Sequence, residues 1–156
     1  MKNYTSSVAP ERSITNIESL LVKAKAADIN KSYESGIVTA ISFVIFEPSN
    51  NSRIAIRLPA NVPQVFEALK KIMAPKRGSW DRMRLQRLQE QAARTAWKLM
   101  QDWLEVQLSL IEMKQAELLQ IFLPYVLAGN NQTFYQKLKE NNFIGLPAPE
   151  SKATEN

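Results

Sequence analysis

The sequence predicts an α+β fold: an N-terminal helix, a three-stranded antiparallel meander, a second helix, then a long helix followed by short C-terminal helices. Three observations predict it. Apolar residues recur at 3/4 spacing in Ile14, Ile17, Leu20, Leu21 and Ala24. Ile37 to Glu47 is rich in β-branched and aromatic residues, and Arg53 to Leu58 alternates with period two. No glycine or proline occurs from Ser79 to Leu123.

Pro10 suits the first turn of a helix, where a missing N–H costs nothing, and the apolar spacing carries that helix to about residue 26. Asp28 to Glu34 reads as a short strand, and Ser35-Gly36 as the turn after it. Ile37 to Glu47 has two apolar faces, which predicts a central, well-covered strand. Pro48-Ser49-Asn50-Asn51 is a turn cluster. In the third strand Ile54, Ile56 and Leu58 point inward and Arg53 and Arg57 outward.

Asn61 is placed to cap a helix over 62–74, with Val62, Val65, Phe66, Leu69, Ile72 and Met73 on its apolar side. Pro75 to Ser79 breaks it and predicts a hinge between an α/β half (1–74) and a helical half (80–145) of one domain, with 146–156 as a mobile tail. The long helix spans roughly Trp80 to Met113. Leu85, Leu88, Ala92, Ala96, Leu99, Trp103, Val106 and Leu110 fall within an arc of about 80° and predict its core stripe. From Trp97 onward a second flank joins it, formed by Trp97, Met100, Leu104, Leu108 and Ile111. Glu117 to Leu123 and Thr133 to Asn141 read as short helices.

Composition narrows the chemistry. The 156 residues, 45% hydrophobic, suit one domain with a real core. There is no cysteine and no histidine. Thiolate nucleophiles, zinc–sulfur sites and histidine-dependent acid–base catalysis are excluded. Asp102, Glu105 and Glu112 share one helix face, but a charged outer face explains them more simply than a carboxylate magnesium site. The chain is expected not to be an enzyme and to need no cofactor or metal. No apolar run approaches 18 residues and Met1 to Glu11 lacks an apolar h-region, so neither a membrane span nor a signal peptide is expected.

The charge distribution points to a partner. The formal net charge is +5. Residues 70–98 hold nine cations against Asp81 and Glu90, a net +7. Arg84, Arg87, Arg94 and Lys98 lie within about 80° of arc on the long helix, away from the leucine stripe. Cations near a helix N-terminus oppose the macrodipole, so stability alone does not select them. One reading is a phosphate-tracking surface of Lys76, Arg77, Arg82, Arg84, Arg87, Arg94 and Lys98, with Trp80 stacking on a base. Another is an acidic protein partner. The plainest is a solvated face, supported by the i,i+4 pairs Glu90–Arg94 and Lys98–Asp102.

Thirty-odd residues of helix exceed the diameter of a domain this size, so one end should overhang. The narrow N-terminal stripe of Leu85, Leu88 and Ala92 would then need a second copy, which predicts a homo-oligomer. The alternatives are that helix 62–74 folds back over it or that the helix breaks near residue 90.

Arg12-Ser13 before Ile17 and Leu20-Leu21, Arg57-Leu58-Pro59 closing a strand, Ala96-Trp97 with Trp103 and Glu105, Phe122-Leu123-Pro124-Tyr125, and Gly129 ahead of Thr133 form a series. From about residue 4 to 147 the chain resembles a family of small bacteriophage, prophage and mobile-element proteins with no established activity. The resemblance implies an accessory role in the cytoplasm of a bacterial host, in replication, recombination or host interference. It carries over no functional residue, and favours nucleic acid or a host or phage protein as partner. Relatives tend to have a glycine shortly after the position of Glu112; here Met113-Lys114 follows.

Overall fold

The computed structural model describes residues 2–148; of the tail expected over 146–156, residues 149–156 lie outside the described residues. The elements are α1 (Pro10–Lys23), β1 (Ala27–Glu34), β2 (Ile37–Phe46), β3 (Arg53–Pro59), α2 (Val62–Ile72), α3 (Arg82–Glu112), α4 (Leu118–Phe122), a 3₁₀ turn (Leu123–Tyr125) and α5 (Phe134–Glu140). The architecture is the predicted α+β arrangement.

The sheet is an antiparallel meander in the order β1-β2-β3. Ser35 (φ 49°) and Gly36 (φ 79°) make the β1–β2 turn with both central residues left-handed, which matches the twist of the flanking strands. In the β2–β3 register, Ile41 faces Leu58, Phe43 faces Ile56 and Ile45 faces Ile54. These three rows form the helix-covered face, with Ile14, Ile17 and Leu21 of α1 and Trp97 and Leu104 of α3 packed on it. The opposite face is only half covered, since Ser42, Val44, Ala55 and Arg57 are partly exposed. β2 is thus central, as expected, but buried fully on one side. The β1–β2 register shifts between Ser32 and Tyr33. The bulge re-aims Val38, which packs with the helix-side core and not on the outer face its parity predicts.

Asn61 is the residue before α2, but it sits in the left-handed region (φ 53°) and its side chain makes no capping bond. Asp81 does cap α3: its carboxylate accepts from the Arg84 backbone N–H at 2.8 Å. α3 runs unbroken for 31 residues, about 46 Å at 1.5 Å per residue. It ends in a Schellman motif: the Gln115 N–H donates to the Leu110 carbonyl at 2.8 Å and the Lys114 N–H to Ile111 at 3.0 Å. The left-handed residue of that motif is Lys114 (φ 58°), just past Glu112, where a glycine would carry no Cβ penalty.

The buried face of α3 does not run straight. Leu88 and Ala92 are buried against α2, where Leu69 is fully buried with Val62, Val65 and Phe66 around it. Past Ala96 the buried side is Trp97, Met100, Leu104, Leu108 and Ile111, against the sheet, α1 and α4. At 100° per residue the two faces are roughly 140° apart. Leu85, Leu99, Trp103 and Leu110 are half-buried, and Val106, expected in the core, is 55% exposed. The reason is the length of the neighbours: α2, with 11 residues, covers about 16 Å of α3, and among the described residues no element continues it along Val106. Trp103 packs edge-on against Phe122 and Tyr125. Because α3 joins both clusters, segment 75–79 is a connector between two packed helices and the two halves share one body.

Candidate nucleic-acid interface

The basic residues gather where α2 and α3 meet. The loop between them, 73–81, turns through Gly78 (φ 84°) and closes on the first turn of α3. There the Arg84 guanidinium donates to the Ser79 carbonyl at 3.0 Å and lies 3.5 Å from the Asp81 carboxylate, so its position is set by the loop. Beside it a cleft of about 570 Å³ opens, lined by Met73, Pro75, Lys76, Arg77, Trp80, Arg84, Arg87, Leu88, Glu90, Gln91 and Arg94.

The lining has two parts. Trp80 packs on the small cluster of Leu69, Leu88 and Ala92 and is half-buried, so it forms an apolar wall and is not the freely exposed ring expected from its basic neighbours. Around that wall stand five cations and one acid, Glu90. Among the described residues no carboxylate lies within 4 Å of Lys76, Arg77, Arg87 or Arg94, nor of Arg82 on the neighbouring surface. The expected Glu90–Arg94 pair does not form; Arg94 donates to the Gln91 side-chain oxygen at 3.2 and 2.9 Å. The first turn of α3 holds no acidic residue; the N-cap Asp81 stands beside Arg84, while Arg82 meets the positive end of the helix dipole with no acidic partner of its own among the described residues. Two other clefts carry no net positive charge. One of about 420 Å³ over Ala93 and Trp97 has Glu11 and Lys31 in its lining, and one of about 820 Å³ at the C-terminal end of α3 has Glu47, Lys114 and Glu117.

Lys98 does not belong to the cleft. It pairs with Asp102 at 2.8 Å, and Asp102 also receives Lys2 at 2.7 Å and the Asn3 side-chain amide at 2.9 Å. Burial alone would raise the Asp102 carboxyl, but the hydrogen bonds from Lys2, Lys98 and Asn3 outweigh it and hold the group well below the usual carboxylate range. The same segment is fastened twice more to α3: the buried Thr95 hydroxyl donates to the Asn3 carbonyl at 3.0 Å, and the Gln91 amide donates to the Ser6 carbonyl at 3.1 Å. Gln91 is therefore a link. Its amide holds residue 6 while its oxygen holds Arg94 at the cleft. Nothing in the spacing of residues 2–8 pointed to this contact, because it is made across about ninety residues of chain.

The stripe expected to drive self-association is covered. Leu88 and Ala92 are buried against α2 of the same chain, the fold-back alternative, and Leu85 is half-buried beside them. Leu88 and Ala92 are therefore not available to a second copy, while Leu85 keeps part of its surface open. The open apolar positions of α3 are Met83 in its first turn, Val106 further along and Met113 at its C-cap.

No helix among the described residues is long and apolar enough to cross a membrane. No protein-family model matches the chain, and the searches of curated proteins and of solved structures give no match either.

Proposed function

We propose that this protein is a non-catalytic accessory protein that binds nucleic acid through the cleft at the α2–α3 tip. One observation carries the reading: Lys76, Arg77, Arg84, Arg87 and Arg94 converge on one concave surface with a tryptophan wall, and a single acid opposes them. Phosphate groups are the ligands such a surface suits, because each neutralised phosphate releases counterions. Arg82, in the first turn of α3 without an acidic partner among the described residues, opposes the helix dipole, a small cost in stability that a binding role explains. The binding set is Lys76, Arg77, Trp80, Arg82, Arg84, Arg87 and Arg94; Lys98, spent on Asp102, is left out. The resemblance to small phage and mobile-element proteins agrees with an accessory role in replication or recombination within a bacterial host.

Fluorescence anisotropy of labelled single- and double-stranded DNA across a salt series tests this. Binding should weaken steeply with salt, and Arg84→Glu with Arg87→Glu should cost about tenfold or more in affinity. No binding of either form at low salt would overturn it.

A second reading is a protein-interaction module that inhibits or adapts a host protein through α3. It is favoured by Val106 and Met113, 55% and 69% exposed on the half of the helix that α2 does not reach.

A further inference from the structure

We infer that the cleft takes an unpaired base, so that the protein prefers single-stranded nucleic acid, DNA or RNA, over duplex. The inference rests on the nucleic-acid reading above and narrows it to one form of that ligand.

The first ground is where the cations are not. A helix that reads duplex presents its outward ridge to a major groove about 12 Å wide. α3 is packed against α2 through Leu88 and Ala92. Two helices side by side, with axes 8–10 Å apart, make a slab about 20 Å across, too wide to enter that groove edge to edge. The alternative is the ridge of α3 that points away from α2. At 100° per residue Met83, Gln86 and Glu90 lie about 140–160° round the helix from Leu88, and all three are exposed. The charged residue on that ridge is Glu90, which also borders the cleft, and Arg82 and Arg94 flank the ridge at about 120° from Leu88. Arg84, Arg87 and Arg94 stand on the flank and line the concavity beside the loop.

The second ground is what the concavity contains. At about 570 Å³ it falls in the range that houses a nucleotide-sized ligand, and Met73, Pro75, Trp80 and Leu88 give it an apolar wall. A phosphate backbone alone has no use for such a wall. A splayed base does: its face stacks on the indole while guanidinium groups hold the phosphates on either side. In a duplex both faces of each base are already stacked, so the wall stays unused.

The experiment compares labelled dT20, rU20 and a 20-base-pair duplex by anisotropy at one salt concentration and across a salt series. The two single strands separate the DNA from the RNA source. Tighter binding of either one than of the duplex, by about fivefold or more, supports the inference. Because Trp80 also packs on Leu69 and Leu88, the variants are Trp80→Leu, which keeps apolar bulk, and Trp80→Phe, which keeps a ring; each is checked for a wild-type melting curve. Trp80→Leu should lower single-strand affinity about fivefold or more and leave the salt slope unchanged, and Trp80→Phe should retain most of the affinity. Arg84→Gln with Arg87→Gln should reduce the single-strand slope by about 1.4, at about 0.7 per phosphate. Salt-dependent binding that is equal or tighter for duplex, or indifferent to Trp80→Leu, would overturn the inference and leave the nucleic-acid reading standing. Absence of binding to every probe would overturn both.

Discussion

Asp102 ties the segment of residues 2–6 to the middle of α3, and Asp102→Asn should measure how much that tie contributes. The carboxylate receives Lys2, Lys98 and the Asn3 amide at 2.7–2.9 Å while its side chain keeps 20% of its accessible surface. The Lys98 contact is an i,i+4 pair worth about 0.3–0.5 kcal/mol. Lys2 is 65% exposed, so screening leaves that pair at the low end of the range for surface ion pairs. The Asn3 amide to a charged oxygen is the strongest single bond, about 1.5 kcal/mol net. Together they come to about 2 kcal/mol. For a chain of this length that lowers Tm by about 4–8 °C. The pH dependence has a definite sign. The folded group is held below its unfolded value of about 3.9, so the stabilisation is fully present above that pH and is lost as pH falls below it. The stability difference between wild type and Asp102→Asn should be flat from pH 5 to 8 and shrink below pH 4. Urea unfolding at a series of pH values reads it. A difference as large at pH 3 as at pH 7, or a Tm change under 1 °C at pH 7, would refute the role of the ionised carboxylate. Since Gln91 joins Ser6 to Arg94, the same variant should loosen Arg94 at the cleft.

Two further outcomes follow from the path of the buried face along α3. Leu104→Ala, at a fully buried position, should cost about 2–5 kcal/mol in chemical denaturation, whereas Val106→Ser, two residues on, should stay within about 0.5 kcal/mol. Comparable costs for both would mean that the Val106 side of the helix is covered. Lys114→Gly should raise stability by about 0.5–1 kcal/mol in thermal melts, because Lys114 holds the left-handed position of the Schellman motif with a Cβ that glycine lacks. A loss of stability would mean that the lysine side chain contributes more than its backbone costs.

The elements were legible because each signal is local. Period two with β-branched residues marks β2 and β3, Pro10 marks the start of α1, and the absence of glycine and proline from Ser79 to Leu123 lets α3 run unbroken. The concentration of charge over 70–98 is equally local. The side-chain cap expected of Asn61 does not form, because an asparagine before a helix can take the left-handed conformation instead of turning its side chain to the backbone.

What the tertiary structure decided is which side of each element meets something. Leu88 and Val106 share one line of α3, yet one is buried and the other open, because an 11-residue helix cannot cover a 31-residue one. Arg94 and Lys98 are neighbours on one face, yet Lys98 is neutralised by Asp102 and Arg94 stays with the cleft. Trp80 is basic in its neighbours and apolar in its packing. By itself the sequence determined the order and type of the elements and where positive charge collects, since propensity, period and composition act within a few residues. Which cations remain free, and that they share a concave wall with Trp80, depended on contacts between segments far apart in the chain, and no periodicity records those.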